Sequence, residues 1–191
     1  MQRPATSLAA KSGLPYGYGL GIYQHQRNSV SFYGHGGDAD GYLSFFAYSP
    51  RHKLGYFVVI NAFKKSALVE MKAVLENEIV NSGAKPSFPK DLELSSLHIE
   101  LLAGTYREVT RRFRRNTETR KLSVSADGER YFSSIGARKR RKLIAVTPRH
   151  FRRTYQSVAT IAFIPCRDRI YLQGDFGNFE KLLPRNQITE Q

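Results

Sequence analysis

A succession of short β-prone runs separated by turns limits most strongly what this chain can fold into. The first four are Tyr16–Gln24, Val30–Tyr33, Tyr42–Tyr48 and the almost entirely apolar Leu54–Ile60. The intervals between them are too short for crossover helices, so the spacing predicts one antiparallel sheet. The apolar character of Leu54–Ile60 predicts a buried strand.

A helix is predicted directly after this sheet. Ser66 is a candidate N-cap, and Leu68, Met71, Leu75 and Ile79 recur at helical spacing on one face. Residues 85–94 contain two prolines near their start and are interpreted as a linker. We therefore expect a first domain over residues 1–84 and a second over residues 95–191.

The second domain is predicted to be a small antiparallel barrel or sandwich, because many short β-like runs follow one short helical turn. The turn covers Ser95–Leu102, and Asp127-Gly128 is a hairpin signal. The predicted strands are Gly104–Val109, Lys121–Ser125, Arg130–Ile135, Lys142–Thr147, Phe151–Tyr155, Val158–Ile164, Arg169–Gln173 and Asn178–Leu183. The fold class expected for the chain is therefore α+β.

Positive charge is concentrated in one block of the 191 residues. Residues 111–153 carry 15 Lys and Arg against 3 Asp and Glu, a balance of +12, whereas the whole chain has a net charge of +14. Such a block is typical of surfaces that meet an anionic partner. No apolar run reaches the length of a membrane-spanning helix. The single cysteine, Cys166, excludes an internal disulfide, and no spacing of His residues indicates a metal site, so no cofactor is expected.

The order of motifs around His35-Gly36-Gly37 resembles the end of the catalytic domain of penicillin-recognising serine hydrolases. This family includes class C β-lactamases, D-alanyl-D-alanine carboxypeptidases and related esterases. Tyr18-Gly19-Leu20-Gly21 precedes the triplet, and a buried strand that ends in Asn61 follows it. The resemblance covers about residues 14–82. It implies a partial β-lactamase-like sheet with a C-terminal helix packed against it.

The resemblance assigns roles to five residues of the motif. His35 takes the place of the basic residue near the nucleophile, and Gly37 belongs to the same catalytic motif. Asp38 follows the motif and supplies a backbone N–H to half of an oxyanion hole. Gly36 and Ala39 form the wall against which substrate lies. A substrate of the parent enzyme would be a peptide, an ester, a lactam or a cell-wall-type peptide.

Two further motifs of that family are absent. No Y-x-N or S-x-N occurs, and both S-x-x-K matches, Ser82–Lys85 and Ser87–Lys90, follow the triplet instead of preceding it. The chain is therefore expected to be a C-terminal fragment that is inactive alone. Its expected partner is a missing N-terminal catalytic half or a second copy, because its sheet should expose an apolar face. By resemblance, a bacterial parent would be periplasmic or extracytoplasmic; no signal peptide is evident in the chain.

Residues 95–191 resemble the lipocalin-like β-barrel domain that follows the catalytic domain in some members of the family. The resemblance rests on Leu101–Tyr106, on Pro148–Phe151 and on Phe179–Leu182.

An alternative function is a basic module that binds nucleic acid or another polyanion, because Arg with nearby aromatic residues on a small barrel is typical of single-strand binders. The candidate anion-binding residues are Arg111, Arg112, Arg114, Arg115, Arg138, Lys139, Arg140 and Arg141. The opposing interpretation of the same residues is a solvated barrel face.

Overall fold

The computed structural model describes residues 1–83, 87–109, 121–125, 130–134 and 140–182. Its contacts divide the chain into two compact units. We call the first the sheet unit; it comprises Met1–Thr6, Pro15–Pro89 and Tyr155–Val158. We call the second the barrel unit; it comprises Ser7–Leu14, Lys90–Thr154 and Ala159–Gln191. Both units are built mainly from antiparallel strands, so the predicted α+β class is confirmed.

Four antiparallel strands in the order β1-β2-β3-β4 form the sheet unit. They are β1 (Tyr23–Arg27), β2 (Val30–Ala39), β3 (Tyr42–Ser49) and β4 (Leu54–Ile60). Two-residue turns join the first three. Asn28 and Ser29 both have positive φ, as does Gly41 in the second turn, and such turns match the twist of paired strands.

A 17-residue helix, α2 (Lys65–Asn81), packs on one face of this sheet. The core beneath it contains Phe32, Phe45, Val58 and Ile79.

Two details of the predicted helix are wrong. Its N-cap is Lys64, without a side-chain capping bond, because the helix already includes Ser66. Its buried positions are Glu76 and Ile79, whereas Met71 is exposed. The other three predicted positions face the core: Ile79 is buried, and Leu68 and Leu75 are partly buried against the same cluster.

The barrel unit contains an eight-stranded barrel that closes in the order β10-β11-β12-β5-β6-β7-β8-β9. Two short helices, α1 (Leu8–Lys11) and α3 (Ser96–Leu102), accompany it. The strands are β5 (Gly104–Glu108), β6 (Lys121–Ser125), β7 (Tyr131–Ser134), β8 (Arg141–Ala145), β9 (His150–Arg153), β10 (Ile161–Cys166), β11 (Arg169–Gly174) and β12 (Gly177–Lys181).

Side chains fill the interior of the barrel. Tyr106, Phe151 and Phe163 pack edge to face, with ring centroids 5.1 to 5.8 Å apart, and Phe179 is fully buried with them. The Tyr106 hydroxyl donates a hydrogen bond of 2.6 Å to the Leu102 carbonyl, which satisfies the one polar group of this aromatic core. The barrel is thus closed around a packed core. No helix in the described ranges is both long and apolar enough to cross a membrane.

Candidate functional site

The predicted site residues lie on one strand, β2. In the register between β2 and β3, His35 lies opposite Phe46, Gly37 opposite Ser44 and Ala39 opposite Tyr42. The imidazole of His35 meets the edges of the Tyr18 and Tyr23 rings, each with a centroid distance of 6.0 Å. Its described ring neighbours are therefore aromatic.

The other members of the motif have packing or surface contacts. A Cβ added to Gly36 would lie 3.2 Å from the Phe45 ring, so the glycine lets that ring lie close against β2. The Asp38 carboxylate is 3.6 Å from the Lys65 ammonium, and both side chains are mostly exposed. The catalytic and substrate-wall roles of these residues stay predictions.

Most of the candidate anion-binding residues fall outside the described residues. These are Arg111, Arg112, Arg114, Arg115, Arg138 and Lys139. Of the remaining two, Arg140 donates a 2.6 Å hydrogen bond to the Ser125 hydroxyl, and Arg141 is an exposed residue at the start of β8.

A buried carboxylate that the sequence analysis missed joins α2 to the sheet. Glu76 is only 1% exposed. One carboxylate oxygen lies 2.7 Å from His25 Nε2 and accepts a 2.5 Å bond from the Tyr56 hydroxyl. The other oxygen accepts a 3.0 Å bond from Arg27 Nε. We call these four residues the Glu76 cluster.

The electrostatics of the Glu76 cluster favour a charged carboxylate. Burial raises the pKa of Glu76, but the hydrogen bonds from His25, Tyr56 and Arg27 outweigh it and lower that pKa to about 2. Burial and the bond to Glu76 raise the pKa of Tyr56. Nearby, the Lys72 ammonium lies 3.3 Å from the centroid of the Phe45 ring. The bonds satisfy the Glu76 carboxylate and fasten the helix to the sheet, while Nδ1 of His25 is buried without a hydrogen-bond partner.

One sequence signal could have identified this cluster. His25 and Arg27 alternate on one face of a strand, and Glu76 lies between Leu75 and Ile79 on the helix. A carboxylate at a buried helical position requires cationic or hydroxyl partners, and the facing strand offers them.

The other face of the sheet carries exposed apolar side chains. Alternation along the strands puts Phe46, Phe57 and Val59 on the side opposite α2. Their exposed fractions are 37%, 69% and 53%. Phe46 and Phe57 pair directly across β3 and β4, and Tyr42, also exposed, lies on the same side. We call these four residues the outer face.

Strand β4 also ends the sheet on one side. Its pairing partner is β3, and within the described residues no backbone hydrogen bond joins its other edge to a further strand. We call this side of β4 the open edge. It extends over seven residues, Leu54–Ile60, without proline or charge.

The open edge lies in a segment that contains only positive charges. Between Asp40 and Glu70 the chain carries no Asp or Glu but four Lys and Arg. Arg51 and Lys53 precede β4, and Lys64 and Lys65 follow it. An apolar strand edge is therefore flanked at both ends by basic residues.

Comparisons with known proteins add little to this picture. No family model and no curated protein matches the chain. Matching solved structures include one described as "Crystal structure of SurE with D-Leu", with 18% identity, a TM-score of 0.42 and coverage of 88% of this chain and 40% of that one. A second, described as "Crystal structure of SurE", has 18% identity, a TM-score of 0.41 and coverage of 88% and 39%. The chain thus spans about two fifths of the length of these structures.

These findings correct the functional part of the sequence analysis. The matching structures carry the name SurE, not that of a β-lactamase or a penicillin-binding protein, and no family model or curated match supports a serine hydrolase. The predicted membership of the penicillin-recognising serine hydrolases, and the function as a fragment of one with a lipocalin-like domain, are therefore withdrawn. The alternative of a polyanion-binding module gains no support either.

Proposed function

We propose that the sheet unit is a polypeptide-binding module whose open edge accepts an extended apolar strand with acidic flanks. The observation that carries this proposal is the open edge of β4. Such an edge presents a row of N–H and C=O groups that a further strand can pair with. Proteins usually block such an edge with proline, an inward charge or a bulge, and β4 has none of these.

The outer face would add side-chain contacts to this backbone pairing. Phe57 and Val59 project from β4 on the same side. Alternate residues of an added strand would lie beside them and cover apolar surface, at about 25 cal/mol per Å² removed from water. The Glu76 cluster fastens α2 to the inner face, so the edge is held on a preformed sheet.

Charge favours a foreign strand over a second copy of this chain. In a symmetric antiparallel pair of β4 strands, Lys53 of one copy would approach the segment that leads to Lys64 in the other. This pairing brings like charges together, and the net charge of +14 opposes association further. A strand flanked by Asp or Glu instead meets opposite charge at both ends. The predicted homo-oligomer is therefore an outcome that the test must distinguish.

The test uses two synthetic peptides with one apolar centre, EEVTVFVEE and KKVTVFVKK. At about 50 mM salt we expect the acidic peptide to bind at least roughly tenfold more tightly, and the difference to shrink near 0.5 M salt. A version of EEVTVFVEE with N-methyl groups on consecutive residues of its apolar centre should lose binding, because neither of its edges can then complete the ladder. Fluorescence anisotropy of the labelled peptides measures all three.

Variants of two exposed residues locate the site. F57S removes an apolar side chain beside the open edge without adding charge and should weaken binding of the acidic peptide. L97S is the matched control, because Leu97 is 76% exposed on α3 in the barrel unit. Equal binding by wild type and F57S, or no binding of either peptide, would overturn the proposal. A stable dimer by light scattering that F57S dissociates would identify a second copy as the occupant instead.

A further inference from the structure

A cavity of about 680 Å³ opens at one end of the barrel, independently of the open edge. Its walls come from the end of α3, the first residues of β5, the turn between β10 and β11, and the end of β12. The lining is mainly apolar, with Leu101, Pro165, Ile170 and Leu182 among its members. This volume lies within the range of small-molecule sites.

The cavity also contains a half-buried cation without a carboxylate partner among the described residues. The Lys181 ammonium donates a 2.6 Å hydrogen bond to the Leu101 carbonyl. An ammonium has three donors, so this bond leaves two for other acceptors. The neighbouring carboxylate, Glu180, is bonded to Arg169 instead. Burial lowers the pKa of Lys181, because apolar walls disfavour the unpaired charge.

A glycine makes room for this lysine. Gly104 has a φ of +136°, and a Cβ added there would lie 2.9 Å from Cε of Lys181. The side chain of Lys181 therefore lies close over the backbone at the start of β5. Two further charged residues that line the cavity, Arg167 and Asp168, lie in the β10–β11 turn.

We infer that this cavity binds a single-chain amphiphile with a carboxylate head, of the class of a medium-chain fatty acid. The carboxylate accepts hydrogen bonds from the free donors of Lys181, and the alkyl chain lies against Leu101, Ile170 and Leu182. A bound anion compensates the Lys181 ammonium for the hydration that it loses on burial. The apolar lining excludes a small hydrophilic anion as the preferred ligand, because such an anion would leave that lining uncovered.

Four probes separate the contributions of head and tail. Decanoate carries both, decanol only the tail, butyrate mainly the head, and decyltrimethylammonium the opposite charge. We expect decanoate to bind about tenfold or more tightly than each of the others, which corresponds to one charge-assisted hydrogen bond. Isothermal titration calorimetry measures the affinities. Methyl-resolved NMR identifies the site, since the Ile170 methyl signals should shift while those of Val59 on the outer face should not.

Two substitutions of Lys181 test its role. K181M should reduce decanoate affinity to the level of decanol, whereas K181R should retain most of the difference. K11M is the control, since Lys11 belongs to α1, which contacts the opposite end of β11 through the bond from Ala9 N to Gln173. Equal affinities for decanoate and decanol, unchanged decanoate binding by K181M, or shifts at Val59 without shifts at Ile170 would each overturn the inference.

Discussion

The two units differ in how their strands end. The barrel unit pairs each of its eight strands on both sides, so closure removes its edges. The sheet unit stops at β4, where a seven-residue apolar strand keeps one side unpaired within the described residues. The barrel buries Tyr106, Phe151, Phe163 and Phe179, whereas the sheet exposes Phe46 and Phe57. Closure of the barrel thus leaves no strand edge unpaired, which favours stability. The sheet keeps one edge open, which is the surface proposed above for association.

The largest effect should distinguish a buried phenylalanine from an exposed one. Phe163 is fully buried against Tyr106 and Phe151, so F163A should destabilise the barrel unit by about 3–5 kcal/mol. F57A on the outer face should change the stability of the sheet unit by less than about 0.5 kcal/mol. Urea unfolding monitored by residue-resolved NMR measures both. A cost for F57A as large as for F163A would show that the outer face is part of a core.

The next effect concerns the charge that fastens α2 to the sheet. E76Q keeps the shape of the side chain but weakens bonds from His25 and Arg27, so it should destabilise the sheet unit by about 2 kcal/mol. Because the folded pKa of Glu76, about 2, lies below its ordinary value of 4.5, the stabilisation is complete above pH 4.5 and is lost as the pH falls towards 2.

Hydrogen exchange of the Phe45 and Val58 amides measures this pH dependence in the sheet unit. The difference between wild type and E76Q should shrink on acidification below pH 4.5. The matched control is E78Q, since Glu78 is an exposed residue of the same helix. A constant difference between wild type and E76Q down to pH 2 would contradict the assigned role of the Glu76 charge.

The barrel unit should respond to acid at a higher pH. Burial, with the positive charge of Arg149, lowers the pKa of His150 below 6.5. The neutral ring is held by Ser12 at 3.2 Å and Thr147 at 3.1 Å. The stabilisation of the barrel unit by the neutral His150 ring is therefore present above pH 6.5 and is lost as the pH falls through the lowered pKa.

The barrel unit should lose stability over this range, and H150Q should remove this pH dependence. Exchange of the Leu172 amide measures it, with Val58 in the sheet unit as the internal reference. If acidification below pH 6.5 lowers the exchange protection of the Val58 amide as much as that of the Leu172 amide, the separate response of the barrel unit is contradicted.

Local sequence signals predict most of these strands, but they do not predict which sides of the strands are paired. The bounds of β4 and β6 agree with the prediction, because turn residues delimit Leu54–Ile60 and the hairpin signal Asp127-Gly128 follows Lys121–Ser125. Strand β2 extends to Ala39, beyond the predicted run Val30–Tyr33, because Gly34, Gly36 and Gly37 pair with β3 although glycine has a low strand propensity. Closure of the barrel and the open edge both depend on pairing between distant strands, which periodicity within one strand does not encode.

The candidate site was harder to predict than the fold, for a related reason. Hydropathy assigns Leu68, Met71, Leu75 and Ile79 to the buried side of the helix and leaves Glu76 out, because carboxylates usually face solvent. Its burial becomes favourable through His25, Arg27 and Tyr56, which lie 51, 49 and 20 positions away in the sequence. The basic flanks of β4 are visible in the sequence, but their meaning depends on the strand between them having an unpaired side.

The smallest effect concerns Asp38, which a motif-based interpretation placed in a catalytic site. Its ion pair with Lys65 is 3.6 Å long, and both side chains are more than half exposed. Exposed pairs contribute little, so D38N should change the stability of the sheet unit by less than about 0.5 kcal/mol. It should also strengthen binding of EEVTVFVEE slightly, because it removes the carboxylate that neutralises Lys65 next to the open edge. Anisotropy at about 50 mM salt measures this change, with D40N as the control for an exposed carboxylate in the same hairpin. Weaker binding by D38N than by D40N would contradict the role assigned to the basic flank.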